Sequence, residues 1–517
     1  MKFRPAVCLG ASIVASLALV SGADQTTAWK PNIPRVWDER ALQQWATPVA
    51  GLNVRPSHVP EAEYYSLPVE DLRSYPVYYP GREPAGYWEM LQRVGPKPLI
   101  EPGKLKTEGE WVRAGQRVFE ESDAPQLRTY DPELIASVRS RAFYEEHNAS
   151  ALPDGTMDIL RWVPTKRGVA LSTLSCSGCH VLHRSDGTAI AGAPRLAETT
   201  RTRRSKSRGL PATFLESANR VLSGAPPFFM GGQMPGGWVY QAYAAPWVKD
   251  RSAERLKTFT REDYEAWVTA DRYAGAIPRW NGSLFYPAKI PDLIGIKDRK
   301  YIDHTATHLH RGVGDLMRYA AQVAYVEMAD FGEYHMLSSD TTRVRSRLSD
   351  EALYALALYL YSLQPPPNPN RYDEKARAGE KIFSREGCAA CHVPPLYTNN
   401  KLTLAQGFVP PENRPAGLDV LPLTVGTDPG LALATRKGTG YYKVPSLRGV
   451  WYRGHYLHDG SAASLEEMFN PERLKDSYVP DGWLPPGEKT HAIRGHEFGL
   501  RLDSEEREQL LAFLRTL

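Results

Sequence analysis

The stretch REGCAACHVP, residues 385–394, places Cys388 and Cys391 two residues apart with His392 directly behind them. The same Cys-x-x-Cys-His run occurs upstream in LSCSGCHVLH (174–183), as Cys176, Cys179 and His180. Four of the five cysteines lie in these two runs, and the fifth, Cys8, is close to the N-terminus. Two disulfides would leave the histidines without a task, and so would a four-thiolate zinc site. Covalent c-type haem uses all five positions: both thiols form thioethers to the haem vinyls and the next residue turns its imidazole onto the iron. Two covalently bound haems are therefore expected, tethered by Cys176 with Cys179 and by Cys388 with Cys391, with His180 and His392 as proximal ligands.

The N-terminus reads as an export signal over residues 1–23. Lys2 and Arg4 precede an apolar run from Ala6 to Val20, and Ser21-Gly22-Ala23 gives a small-x-small cleavage site. The apolar run is short for a membrane span, and no later segment is apolar enough to cross a bilayer. A periplasmic or secreted bacterial protein is the expectation, with no membrane span once the signal is cleaved. The formal charge of +4 falls by two when Lys2 and Arg4 leave, which points away from nucleic acid as a partner. One basic run, RTRRSKSR (201–208), reads as a solvated loop or as a docking patch for a redox partner.

Internal repeats organise the rest. RAGQRVF (113–119) recurs as RAGEKIF (377–383), each suited to an amphipathic helix ahead of a haem motif. KIPDLIGI (289–296) recurs as KVPSLRGV (443–450), a displacement of 154. LSDEALYALALYLYSL (348–363) parallels LDSEEREQLLAFLRTL (502–517) at the same displacement, with leucines at helical spacing and acidic first turns. Each half reads as helix, haem motif, Pro-x-Leu loop and terminal helix. The expected fold is mainly α: two fused cytochrome c-like domains arising by tandem duplication, the first enlarged by insertions. The expected boundaries are a Pro-rich N-terminal extension (24–104), the enlarged first domain (105–363), a Pro-rich linker (364–375) and the second domain (376–517).

The enlargement lies in two places. Residues 120–175 separate the first helix from its motif where the second half has only 384–387, and the stretch from His180 to Pro291 greatly exceeds that from His392 to Pro445. The later insertion holds PPFFMGGQMPGGWVYQAYAAPW (226–247), aromatic-rich without regular period. Such loops either pack over something flat and apolar or form the insertion's own core.

The two motifs together with VPSLRGVWYRGHYLHDGSAASLEEMF (444–469) and its weaker upstream copy resemble the bacterial dihaem cytochrome c peroxidase superfamily. That superfamily includes the dihaem enzyme of methylamine utilisation and the secreted dihaem rubber oxygenases. The resemblance covers roughly residues 105–517, and in pattern the chain is similar to the rubber-oxygenase-like members. It implies a haem oxidoreductase in which the first haem binds peroxide or dioxygen and the second transfers electrons. Its partners would be a small redox protein or an apolar organic substrate. Calcium between the domains, as in some relatives, is a further cofactor that the resemblance allows.

The family's usual methionine or tyrosine, about fourteen residues beyond the His of His-Asp-Gly, falls here on Glu472, a poor ligand for low-spin haem. His496 in RGHEFGL (494–500) is the expected replacement opposite His392, with His491 and Met468 as alternatives. The position displaced by 154 from His496 is Thr342, so the first haem is expected to be open unless His335 or Met336 reaches it. Trp280 resembles the tryptophan between the haems of relatives and could equally be a core indole. Glu327, in AYVEMAD, resembles the distal acid that moves a proton between peroxide oxygens and could equally be a solvated helix glutamate. In DHTATHLHRG (303–312), His304 and His308 are spaced for one helix face. The cluster reads as structural packing near the haem edges rather than a separate metal site. A peroxidase and a rubber-oxygenase-like oxygenase both fit these residues. A non-catalytic dihaem electron carrier also fits, if both irons are capped.

Overall fold

A computed structural model describes residues 29–517 apart from 126–127, 147–150, 174–175, 185, 196–239, 241–242, 249–253, 261–262, 264–275, 278–283, 324–328, 336–345 and 416. Four helices carry the cores of the two halves. Helix α1 (Glu108–Glu121) opens on a capping box, in which Thr107 accepts from the Glu110 amide and Glu110 accepts from the Thr107 amide. It packs against α2 (Asp350–Ser362), whose N-cap Ser349 accepts from the Ala352 amide. Helix α3 (Glu374–Arg385), capped by Asp373, packs in the same way against α4 (Ser504–Arg515), capped by Asp503.

The two crossings match atom for atom. A Cβ on Gly115 would lie 1.9 Å from the Ala355 carbonyl oxygen and 2.8 Å from Tyr359 Cβ. A Cβ on Gly379 would lie 1.9 Å from the Gln509 carbonyl oxygen and 2.9 Å from Phe513 Cβ. Only glycine allows backbones this close. Ala355 and Gln509, like Tyr359 and Phe513, stand 154 apart, the displacement found in the sequence repeats.

The chain is more mixed than the expected mainly α class. Strand β1 (Tyr75–Tyr78) pairs antiparallel with β2 (Thr156–Thr165), which pairs with β3 (Gly168–Thr173). The first insertion thus folds as a hairpin and takes its third strand from the N-terminal extension. Val77, Leu91, Leu134, Tyr144, Trp162 and Leu171 give this sheet its own core. Four more small sheets of two or three strands occur among the described residues. Sheets this small are stable only against a neighbouring apolar face, so they ornament the helical cores instead of replacing them.

The extension also braces the first half. Trp37 and Trp45 are fully buried, and Tyr64 stacks on Trp37 at 4.7 Å. Asp71 accepts from the Ser349 amide at 3.1 Å, and Asp350 accepts from the Val36 amide at 3.2 Å and from Tyr65 Oη at 2.8 Å. These bonds fix the N-terminal end of α2 from outside. No described helix is long and apolar enough to cross a membrane. The signal segment 1–23 and the basic run 201–208 lie outside the described residues.

Candidate haem centres

Each Cys-x-x-Cys-His run folds into a single tight turn. The His180 amide donates to the Cys176 carbonyl at 3.0 Å and the His392 amide to the Cys388 carbonyl at 2.9 Å. In the second run Gly387 takes a left-handed φ of 78°, which turns the chain out of α3 into the motif. Both imidazoles face main-chain carbonyls: His180 Nδ1 lies 3.1 Å from the Pro291 oxygen and His392 Nδ1 lies 3.0 Å from the Tyr397 oxygen. A carbonyl only accepts, so Nδ1 carries the proton and each Nε2 keeps its lone pair for a metal. The Pro445 carbonyl also acts on His392, so each half's Pro-x-Leu loop serves its own histidine.

The second motif opens onto a cavity of about 250 Å³. Cys388, Cys391 and His392 form one wall, and Phe383, Phe469, Leu510 and Leu514 give an apolar girdle. His496 closes the far side, its ring centre 6.4 Å from that of His392. Two imidazoles sharing one metal, each with a metal–nitrogen bond of about 2 Å and roughly 1 Å more to the ring centre, would stand roughly 6 Å apart. The pair is spaced for one iron between them. His496 Nδ1 is buried without a hydrogen-bond partner. Burial, and then the positive fields of His392 and Arg473, push its pKa down to about 4, which keeps the ring neutral and able to bind metal.

At its polar end the cavity is lined by Lys289, Arg299, Lys443 and Arg453. Arg299 and Arg453 lie 3.7 and 3.5 Å from the carboxylate of Asp292. Lys443 Nζ donates to the Ile302 carbonyl at 2.6 Å. Burial pushes both lysines down to about 7. The Arg299 and Arg453 guanidiniums with the two lysine amines suit the two carboxylates of a haem. Thiol pair, opposed imidazoles, apolar girdle and cationic end together fit c-type haem. The two lysines also join the halves reciprocally. The Lys289 amide donates to the His458 carbonyl at 2.7 Å, and the Lys443 amide donates to the His304 carbonyl at 3.0 Å.

The expectation of calcium is not supported. This junction carries surplus positive charge, which repels a dication, and no group of three or more His, Cys, Asp or Glu side chains among the described residues is arranged to hold a metal ion.

The histidine cluster is not a helix face. Ala306 has a left-handed φ of 55° and the Tyr301–Leu309 bridge folds the segment back on itself. Its histidines have separate roles. His304 Nε2 lies 2.8 Å from the Lys289 carbonyl, and His308 Nδ1 lies 2.9 Å from Thr307 Oγ1. His310 bridges the Arg299 carbonyl and Tyr361 Oη, both at 2.7 Å. Of the alternative ligands, Met468 lines the same cavity as His496, whereas His491 packs edge-on against Trp483. Glu472 pairs with Lys475 at the surface.

Around the first motif, Cys176 packs on the large core of the first half beside Val181, Leu293 and Trp451. Trp280, Glu327, Thr342 and Met336 lie outside the described residues, as does the side chain of His335. Most of the aromatic stretch 226–247 lies outside them as well. Its last residue, Trp247, packs with Val49, Phe331 and Tyr334, which is ordinary core formation. Two features escaped sequence reading: the main-chain carbonyls of Pro291 and Tyr397 that orient His180 and His392, and the fully buried Arg473, for which the sequence carries no signal.

No protein-family model matches the chain. It is 26% identical over 202 residues to the methylamine utilization protein MauG of Paracoccus denitrificans, covering 33% of this chain and 52% of that one. It is 30% identical over 164 residues to the cytochrome-c peroxidase IdrP1 of Denitromonas iodatirespirans, covering 28% of this chain and 40% of that one. The chain thus spans about half or less of the length of these relatives. Among solved structures, a MauG-like protein associated with microbial copper homeostasis superposes with a TM-score of 0.29 at 15% identity, over 57% of this chain and 92% of that one.

Proposed function

Because the chain is related to the dihaem cytochrome c peroxidase-like proteins, among them MauG, we propose that it is an exported dihaem c-type oxidoreductase formed by tandem duplication, with one catalytic and one electron-transferring centre. The observation that carries this reading is the 6.4 Å pairing of His392 with His496 across the cavity of the second motif. When bound, the haems supply the redox chemistry, the first taking peroxide or dioxygen and the second passing single electrons.

The protein's part is to make the two centres unequal. At the second motif, Cys388 and Cys391 would tether the haem, His392 and His496 would ligate its iron, and Phe383, Phe469 and Leu514 exclude water. At the first, Cys176 and Cys179 would tether the haem and His180 would ligate its iron. The position that corresponds to His496 is Thr342, which cannot serve as a comparable ligand and would leave that centre open to an oxidant. Lys289 and Lys443, hydrogen-bonded through their amides across the junction, hold the halves in register between the centres.

Two further roles complete the proposal. Trp280 relays oxidising equivalents between the centres, and Glu327 moves a proton from the proximal to the distal oxygen of peroxide. A redox-protein donor and a peroxide-type oxidant agree with the relatives' names. The rubber-oxygenase-like alternative, with dioxygen and an apolar alkene, is favoured by one observation, the two insertions that enlarge the first half. Steady-state oxidation of a reduced small cytochrome by peroxide tests the reading. Turnover is expected in the wild type and a loss of about 10²-fold or more in Glu327→Gln. Unchanged turnover in that variant removes Glu327 from the mechanism, and no peroxide turnover in the wild type turns the reading toward the oxygenase or carrier.

A further inference from the structure

Arg473 is fully buried, yet its hydrogen bonds all go to main-chain carbonyls. Nε donates to Met468 at 2.9 Å, Nη1 to Ile493, and Nη2 to both Gly495 and His496 at 2.9 Å. A buried guanidinium is costly unless its fork of donors is filled, and here the acceptors that fill it are the turn carrying His496. That turn is conformationally demanding. Gly495 and His496 have left-handed φ values of 75° and 48°. A non-glycine residue holds such a φ only when its surroundings over-determine it.

The opposite side of the turn is equally fixed. The His496 amide donates to the Val425 carbonyl at 2.6 Å. Gly495 lies so close to residues 426–427 that a Cβ would sit 2.2 Å from the Gly426 carbonyl carbon and the Thr427 nitrogen. Met468, whose carbonyl accepts from Nε, lines the same cavity as His496. One side chain therefore ties the cavity wall to the turn that presents the imidazole.

We propose that Arg473 is the positioning residue for His496, holding the imidazole at the second centre and thereby setting how readily that centre opens to other ligands. The inference rests on the reading of His496 as an axial ligand.

The test compares ferric holoprotein of the wild type, Arg473→Gln, Arg473→Lys and His496→Ala by electron paramagnetic resonance and by imidazole titration. Loss of an outer partner of a metal ligand typically weakens binding 10–100-fold. Arg473→Gln is expected to show a new high-spin fraction and at least about a tenfold gain in imidazole affinity at the second centre. Added imidazole should return that fraction to low spin. Arg473→Lys keeps the charge but not the planar fork, so it should shift in the same direction. It also serves as the readout if Arg473→Gln yields no holoprotein.

A merely structural role would lower the melting temperature and leave spin state and imidazole affinity alone. That result in the Arg473 variants, with His496→Ala high-spin, overturns the positioning role only. A His496→Ala protein that stays low-spin overturns the axial reading and this proposal with it.

Discussion

Replacing His496 with alanine is expected to convert the second centre from low-spin to high-spin and to cut peroxide-driven donor oxidation by about 10–100-fold. The expectation follows from geometry. His496 faces His392 across the cavity at the spacing of two ligands on one metal, and its ring is sealed, neutral and uncommitted to any hydrogen bond through Nδ1. A bis-imidazole centre transfers electrons with little change in its coordination, whereas a five-coordinate one gains and loses a ligand as it cycles. On the proposed reading the haem stays attached, because Cys388 and Cys391 would hold it independently of either imidazole. Electron paramagnetic resonance reads the spin change directly. Met468, on the same cavity wall, is an alternative ligand that could keep the variant low-spin, and such an outcome would reassign the axial pair.

His180→Ala should have the larger effect on turnover, a loss of about 10³-fold, while leaving the low-spin signal of the second centre unchanged. His180 Nδ1 is oriented by the Pro291 carbonyl, and the position corresponding to His496 in the first half is Thr342. On the proposed reading, removing it takes away the ligand that would tune the reactive iron. Steady-state turnover and the spectrum measured on one preparation separate this from misfolding. Loss of both signals would mean that the fold failed, and retained turnover would mean that the first centre is not catalytic.

Much of this was legible where geometry constrains single residues tightly. Gly115 and Gly379 are glycine where a carbonyl lies in the place of a Cβ, and each stands in one of the matching runs RAGQRVF and RAGEKIF. The two Cys-x-x-Cys-His runs were legible because the proposed haem attachment requires that spacing. Less was legible where contacts join distant segments. Strand β2 reads as part of an insertion, and nothing local says that it pairs with Tyr75–Tyr78 from the extension. The spacing of His304 and His308 suits a helix, but Ala306 in a left-handed conformation and the return bridge to Leu309 override it. Arg473 was invisible for the same reason: its four acceptors belong to segments on both sides of it, and their convergence exists only in the fold.

The inequality of the two centres is the central claim, and the ferric protein's electron paramagnetic resonance spectrum, taken before and after one equivalent of peroxide, tests it most directly. One high-spin and one low-spin centre, with peroxide depleting the high-spin signal, is the result expected. Two low-spin signals that peroxide leaves unchanged would contradict it and make the protein an electron carrier.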